Sequence, residues 1–383
     1  MNQPAFPHLA VPPGPQGVRV VAAAMRDLIT GSGSGFQLVA AATCPVADGP
    51  APGDGAAPTP AVVIQTSGST GTPAAVVLPL AAVLASADLG AAALGTPGYW
   101  LTAVPVTGIG GLLTVVRALR AGVQPISWPG LAGLAAFTPE SFTASAEPLL
   151  ARADAEGRAA YVSLVPTQVH RLLDSPRACE TAAGFTSILV GGSRLSPALR
   201  DVAANRGLRL VSTYGATETA GGVVYDGVPL PGVTVTVSDG LIRLGGPTIA
   251  SGYLSGGDDA LAEGTFRTRD LGEWRDGRLT VVGRADEVIK VGGEKVSLPA
   301  ITAVLLADDR VLDAATLAQD SAEWGQLPHS YVVPRDPTDA ALATVLTEAV
   351  VARLGRRHRP HTMSIVSQIP VSAAGKPPLR KGF

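Results

Sequence analysis

The sequence predicts an α/β protein. It should hold a large N-terminal α/β domain with parallel sheet and a β-rich subdomain, followed by a small α+β C-terminal domain. Three observations predict this. Strand-like and helix-like apolar runs alternate between residues 61 and 215. From Gly222 the texture changes to short strands separated by Gly and Asp turns, and beyond Arg284 a second, smaller mixture of helices and strands begins. A chain of 383 residues with 46% hydrophobic content exceeds one ordinary core and can bury more than one.

The elements follow in order. "PVADGPAPGDGAAPTP" (45–60), rich in Pro, Gly and Ala, reads as an exposed linker. A strand follows over Ala61–Gln65, then a Ser/Thr/Gly loop, a second apolar run over Ala74–Leu78 and a helix-like stretch over Leu80–Leu89. "YWLTAVPV" is a strand and "GGLLTVVRALRAG" a helix ending at Gly122. "AAYVSLV" is a strand, and "PTQVHRLLD" opens a helix with Pro166. "SILVGG", "SPALRDVAANRG" and "LRLVSTYG" read as strand, helix and strand. "VTVTVSDGLIRL" and "EWRDGRLTVVG" belong to the β-rich part, 222–283. The C-terminal pattern is a helix near 299–307, a strand at "SYVVP", a helix over 337–354 and a strand at "MSIVS". The expected domains are 1–283 and 284–383.

Composition excludes several classes of function. Charged residues are 16% of the chain and the net charge is −2, so no basic excess points to nucleic acid. Two cysteines, Cys44 and Cys179, make neither a disulfide framework nor a zinc pattern. The five histidines lack metal spacing; His358 and His361 sit in a basic run and are expected to face solvent. The first residues lack the charged and apolar regions of a secretory signal. The most apolar long run, 73–97, is broken by Pro79, Asp88 and glycines, and reads as a buried strand and helix with no stable membrane insertion. A cytoplasmic protein is expected.

Thr66, Ser67, Gly68, Ser69, Thr70 and Gly71 lie between two apolar strands, where a flexible linker seldom sits. Glycines let backbone N–H groups turn inward and hydroxyls donate further bonds, which makes a concave anion site. The spacing is not that of a Walker A loop, and Pro73 stops a helix from continuing directly.

Three further segments follow: "STYGATETAG" (212–221), "FRTRDLGEWRDGRLTVVGRADEVIKVGGEKVS" (266–297) and "SAAGKPPLRKGF" (372–383). With "TSGSTGTP" they resemble, in register, the motifs of the adenylate-forming superfamily of acyl- and aryl-CoA ligases, luciferases and peptide-synthetase adenylation domains. The resemblance spans roughly residues 60–383. It implies a mobile C-terminal domain hinged at "GRAD", with Asp286 as the hinge. It also implies two half-reactions: attack of a carboxylate on the α-phosphate of ATP with Mg²⁺, then displacement of AMP by the thiol of coenzyme A.

The resemblance assigns roles residue by residue. Thr66–Gly71 would hold the β- and γ-phosphates. Tyr214 would lie at the adenine, with Gly215 also binding the nucleotide, Thr217 at the α-phosphate, and Glu218 at Mg²⁺, a hard cation that takes carboxylate and phosphate oxygens. Asp270 would accept both ribose hydroxyls, and Arg284 would reach the ribose or phosphate. Lys376 would bridge the carboxylate and α-phosphate, where a cation eases the approach of two anions. Lys290, Gly292 and Gly293 would face coenzyme A.

Within the superfamily, "SLVPTQ", "LVGGSRLSP" and "YDGVPLPGV" are similar to the o-succinylbenzoate–CoA ligases of menaquinone biosynthesis. The candidates for binding the acid are Thr167, Gln168, Gly191, Gly192, Ser193 and Arg194. Such ligases act on small molecules, alone or as a homodimer. Ligation of another aryl or acyl acid, and ligand binding without catalysis, are the alternatives. The chain departs from the pattern in three places. Ala74 and Ala75 stand where Lys and Gly are usual, Thr107 and Gly108 where a histidine is common, and Thr268-Arg269-Asp270 where "TGD" is usual.

Overall fold

A computed structural model describes residues 6–41, 60–66, 74–256, 260–321, 323–367 and 369. The expected linker lies outside them except for Pro60, as do Ser67–Gly71 and Lys376. The chain divides into two compact units. One comprises Met1–Gly191, Arg206–Thr236 and Arg243–Arg267, the other Gly192–Asn205, Val237–Ile242 and Thr268–Phe383.

Two sheets lie wholly within the first unit among its described residues. The first pairs β1 (His8–Val11), β2 (Phe36–Ala40) and β3 (Ala61–Thr66) in parallel. β3 then pairs antiparallel with β4 (Ala74–Pro79), and Gly252–Tyr253 closes the far edge against β4. Between β1 and β2 runs α1 (Pro15–Thr30), which starts with Pro15 in its first turn and stops at left-handed Gly31. Val18, Val21, Ala22, Met25 and Leu28 form its buried stripe.

The second sheet has a parallel core of β5 (Gly98–Thr102), β7 (Ala159–Leu164), β8 (Ser187–Val190) and β9 (Leu210–Ala216). β6 (Ile126–Ser127) forms one edge, and β10 (Gly221–Tyr225) and β11 (Val228–Pro229) run antiparallel at the other. Both faces of the core strands are covered, so β5 is buried at every residue and β8 reads as the uninterrupted apolar run Ile188–Val190. α2 (Leu80–Leu94) leads from the first sheet into this one, and the crossover helices are α3 (Ile109–Arg120), α4 (Pro139–Ala155), α5 (Pro166–Leu173) and α6 (Pro176–Ala183). α4 begins with a reciprocal Thr138–Ser141 capping box.

Arg117 on α3 is an internal cation. It is 5% exposed, its guanidinium lies 4.9 Å from the Trp100 ring centroid, and Nη2 donates to the Tyr225 hydroxyl at 2.9 Å. Gly90 on α2 makes room for it, because a Cβ there would stand 2.6 Å from Nη2.

In the second unit α7 (Pro197–Asn205) is capped by Ser196, whose hydroxyl accepts from Leu199 N–H and donates to the Leu312 carbonyl. The strands Thr265–Arg275 and Arg278–Arg284 form a hairpin whose two-residue turn is Asp276-Gly277, both at positive φ. A further sheet joins Glu294–Ser297, Val288–Val291, Gly325–Pro334 and Val311–Ser321 in that order, with Thr362–Ile365 parallel to Gly325–Pro334. α8 (Leu298–Leu306) and α9 (Leu342–Leu354) pack their apolar faces into a core with Ile289, Val296, Val311 and Val332. Fully burying an aliphatic side chain of this kind stabilises by roughly 1.5–3 kcal/mol.

The structure departs from the sequence reading at several points. β1, α1, β2, α4 and Val311–Ser321 are additional to the elements the sequence pattern predicts. The expected strand at "YWLTAVPV" ends at Thr102, before Pro105. The expected helix from 337 begins at Leu342, because Asp336 and Asp339 accept the N–H groups of Thr338 and Ala341 and hold a turn. His358 is buried rather than solvent-facing, its Nδ1 bonded to the Leu354 carbonyl at the end of α9, whereas His361 is exposed.

Candidate active site

In the first unit, three neighbouring parallel strands deliver the expected residues from their carboxyl ends, where open α/β sheets bind ligands. β7 leads to Thr167 and Gln168, β8 to Gly191, and β9 contains Tyr214 and Gly215 and leads to Thr217 and Glu218. Gly215 cannot carry a side chain, since a Cβ would stand 2.1 Å from the Gly221 carbonyl oxygen where β9 and β10 pair. At Gly191 a Cβ would meet the Thr213 hydroxyl at 2.7 Å.

Thr217–Thr219 forms a single 3₁₀ turn after β9, closed by Ala220 at φ +48°. The Thr219 hydroxyl accepts from Ala216 N–H and donates back to backbone carbonyls. This turn presents Glu218, half-buried, with its Oε1 accepting from the Tyr253 hydroxyl at 2.9 Å. No group of three or more His, Cys, Asp or Glu side chains able to hold a metal occurs among the described residues. A lone carboxylate with one oxygen already bonded fits Mg²⁺ that arrives with a polyphosphate, since Mg²⁺ then needs only one or two protein carboxylates.

Thr66 ends β3 opposite Ala74, and its hydroxyl donates to the Ala74 carbonyl. The loop between these strands is thus entered and left through an antiparallel rung. The Gln168 amide has protein partners at both ends. It is buried, its Oε1 accepts from Val165 N–H at 2.9 Å and its Nε2 donates to the Ala103 carbonyl at 3.1 Å. The amide secures the start of α5 to the residue after β5. At Gly108 an added Cβ would meet only the Pro105 carbonyl oxygen, 3.6 Å away, so sterics do not account for the missing histidine.

The second unit holds Asp270 and Arg284 as directly opposed residues of the Asp276-Gly277 hairpin. Arg284 Nη1 lies 3.7 Å from Asp270 Oδ1. Its Nε and Nη2 donate to the two oxygens of Asp286 at 2.9 and 2.8 Å, a bidentate pair. That pair raises the Arg284 pKa. Burial pushes the Asp286 carboxyl up, but the bonds and charge of Arg284 outweigh it and hold the group below the usual range. The hinge candidate is therefore locked to the nucleotide candidate beside it.

Gly292 and Gly293, at φ +55° and +89°, turn the strand Val288–Val291 into Glu294–Ser297. Lys290 and Lys295 stand opposite each other across that hairpin, both exposed. Like charges so placed repel unless an anion joins them. Trp324, 48% exposed, lies over Gly292, whose added Cβ would be 3.2 Å from the ring. Nothing in the sequence pattern singles out Trp324, because its neighbour comes from a different hairpin.

Gly192, at φ +81°, Ser193 and Arg194 precede α7 and are exposed. Arg194 interacts electrostatically with Asp313, whose carboxyl is raised by burial to about 6 against an ordinary 3.8, despite the Ala314 N–H and Arg194 pulling it down. A carboxyl with a raised folded-state pKa costs stability as pH rises from about 4 to about 6, and the cost is absent below about 4. Asp313→Asn should thus gain thermal stability relative to wild type across that window and keep the gain at pH 7. A difference in Tm that is flat from pH 4 to 7 would remove Asp313 as the titrating group.

Residues 22–254 match the family model of the AMP-binding enzymes, and residues 300–376 match the AMP-binding enzyme C-terminal domain. A probable 2-succinylbenzoate–CoA ligase of Mycobacterium tuberculosis is 37% identical over 322 residues, covering 82% of each chain. A 2-succinylbenzoate–CoA ligase of Enterococcus faecalis is 28% identical, covering 82% of this chain and 67% of that one. An o-succinylbenzoate CoA synthetase from Bacillus subtilis, solved with its acyl-adenylate intermediate, shares the fold at a TM-score of 0.65 and 20% identity. It covers 99% of this chain and 88% of that one. With the motifs, the sheet-end site and these matches together, the chain belongs to the AMP-binding, adenylate-forming enzyme family.

Proposed function

We propose that the protein is an AMP-forming acid–thiol ligase that converts 2-succinylbenzoate, ATP and coenzyme A to 2-succinylbenzoyl-CoA, with the thioester on the succinyl arm, AMP and pyrophosphate. The observation that carries the reading is the 37% identity, over 82% of both chains, to a probable 2-succinylbenzoate–CoA ligase. Glu218, presented at the end of β9, supports it. The domains are assigned as 1–283 and 284–383, with Asp286 as hinge, and the setting as the cytoplasm. Among the described residues no helix is long and apolar enough to cross a membrane.

In the first half-reaction a carboxylate oxygen of the succinyl arm attacks the α-phosphorus. The bond from that phosphorus to the bridging oxygen breaks and pyrophosphate leaves with the electron pair. Thr217 and the loop 66–71 hold phosphate oxygens, Asp270 accepts the ribose hydroxyls, and Lys376 offsets the charge of both anions as they close. Bound Mg²⁺ supplies charge neutralisation on the polyphosphate, with Glu218 as its carboxylate. In the second half-reaction the coenzyme A sulfur attacks the acyl carbon, its proton is released, and AMP departs. Lys290, Gly292 and Gly293 line the approach. Thr167, Gly191, Gly192, Ser193 and Arg194 are the residues assigned to the acid. Gln168 acts there indirectly, by holding the start of α5.

The test is pyrophosphate release and thioester formation with ATP, coenzyme A and a panel of acids. 2-Succinylbenzoate should exceed benzoate and medium-chain fatty acids by at least about a hundredfold in kcat/KM. Equal use of another acid would overturn the substrate and keep the ligase. ATP binding with no pyrophosphate from any acid would overturn both.

A further inference from the structure

We propose that Tyr253 is a positioning residue for the Glu218 carboxylate, and that residues 250–254 tie this carboxylate to the strand leaving the 66–71 loop. The proposal rests on the reading of Glu218 as the carboxylate at the metal. Two bonds from one short segment hold Glu218. Ala250 N–H donates to its carbonyl at 2.8 Å, and the Tyr253 hydroxyl donates to its Oε1 at 2.9 Å. The same segment is joined to β4. Ser251 donates to the Val77 carbonyl through both its N–H and its hydroxyl, at 3.0 and 3.1 Å, and Leu254 N–H donates to the Ala75 carbonyl at 2.7 Å. Gly252 and Tyr253 pair with Val77 and Val76.

The chemical consequence is local. A glutamate side chain has several rotatable bonds and two equivalent oxygens, so an unheld carboxylate would meet a cation in many orientations. A phenol on Oε1 fixes the carboxylate plane and leaves Oε2 to a hard cation, as partners of metal-binding carboxylates commonly do. Tyr253 comes from β4's neighbour, so the orientation of the carboxylate is registered to the strand that follows the phosphate loop. Half-burial of both side chains limits competition from water for the bond.

The experiment uses the full chain with ATP, no acid, and Mn²⁺ as the probe metal, read by electron paramagnetic resonance. Tyr253→Phe keeps the ring and removes the donor. It should weaken Mn²⁺ in the ATP complex about tenfold, and raise KM for MgATP while leaving KM for the acid unchanged. Tyr253→His, which restores a donor, should recover part of the affinity and covers the case in which the phenylalanine variant does not fold. Wild-type Mn²⁺ affinity in Tyr253→Phe, with Glu218→Gln impaired, would overturn the role of Tyr253 alone. Wild-type affinity in Glu218→Gln would overturn the metal role of Glu218 on which it rests.

Discussion

Lys376→Ala should reduce acyl-adenylate formation by about two to three orders of magnitude, the loss typical of a group that stabilises developing charge in a dry site. The motive is its position in "AAGKPPLRK" and the chemistry of the first half-reaction, in which two anions must close on each other. The second half-reaction has no such requirement, because the adenylate is attacked by a single thiolate and AMP leaves. Thioester formation from pre-made acyl-adenylate should fall by less than about tenfold in the same variant. Pyrophosphate exchange reads the first step and single-turnover thioester formation the second. Equal loss in both would mean that Lys376 acts on folding or on the thiol step, and its assignment to adenylation would fall.

The second large effect concerns the acid. 2-Succinylbenzoate carries a benzoate carboxylate that takes no part in the chemistry, and a buried unpaired charge costs several kcal/mol. A pocket built around it should reject 4-oxo-4-phenylbutanoate, which keeps the ring, ketone and reacting carboxylate. The expected loss in kcat/KM is a hundredfold or more, on the order of 3 kcal/mol. Arg194→Ala should depress turnover of the diacid and leave the analogue nearly unchanged. Asp313 already interacts with Arg194, so the incoming carboxylate competes with a protein carboxyl whose own charge is disfavoured by burial. If the analogue is used as well as the diacid, the substrate assignment fails. If the arginine variant alone behaves like wild type, Thr167 and Ser193 are the next partners, because the Gln168 amide is already bonded at both ends.

Part of the placement of the candidate residues was legible from local patterns. Asp270 and Arg284 flank a run whose centre, Asp276-Gly277, is a two-residue hairpin turn that the sequence shows, but regular pairing from that turn would set Asp270 opposite Gly283, and only a register shift between Leu271 and Gly272 brings it opposite Arg284. Tyr214 to Glu218, Thr167 and Gly191 fall where apolar strands end, which periodicity locates. α1 and α4 were also within reach. One has an apolar stripe behind Pro15 and the other a Thr138–Ser141 capping pair, both of them local signals. The strand Val311–Ser321 was harder, since "VLDAATLAQDS" mixes alanines and acids and takes its form from the long antiparallel partner Gly325–Pro334.

The sequence by itself determined the family motifs, the alternation of strand and helix that builds the parallel core, and the placement of candidate residues at strand ends. Those features depend on residues close together in the chain, where periodicity, turn chemistry and caps act. The tertiary structure alone decided how the polar groups are spent. Gln168 bonds Ala103, Tyr253 bonds Glu218 and Arg117 bonds Tyr225, partners 65, 35 and 108 positions apart in the chain. It also decided that burial raises the Asp313 carboxyl to about 6 and that His358 is buried. Burial and hydrogen-bond partners are set by which distant segments pack together, and a carboxylate or amide looks the same in sequence whether it faces a ligand, a neighbour or water.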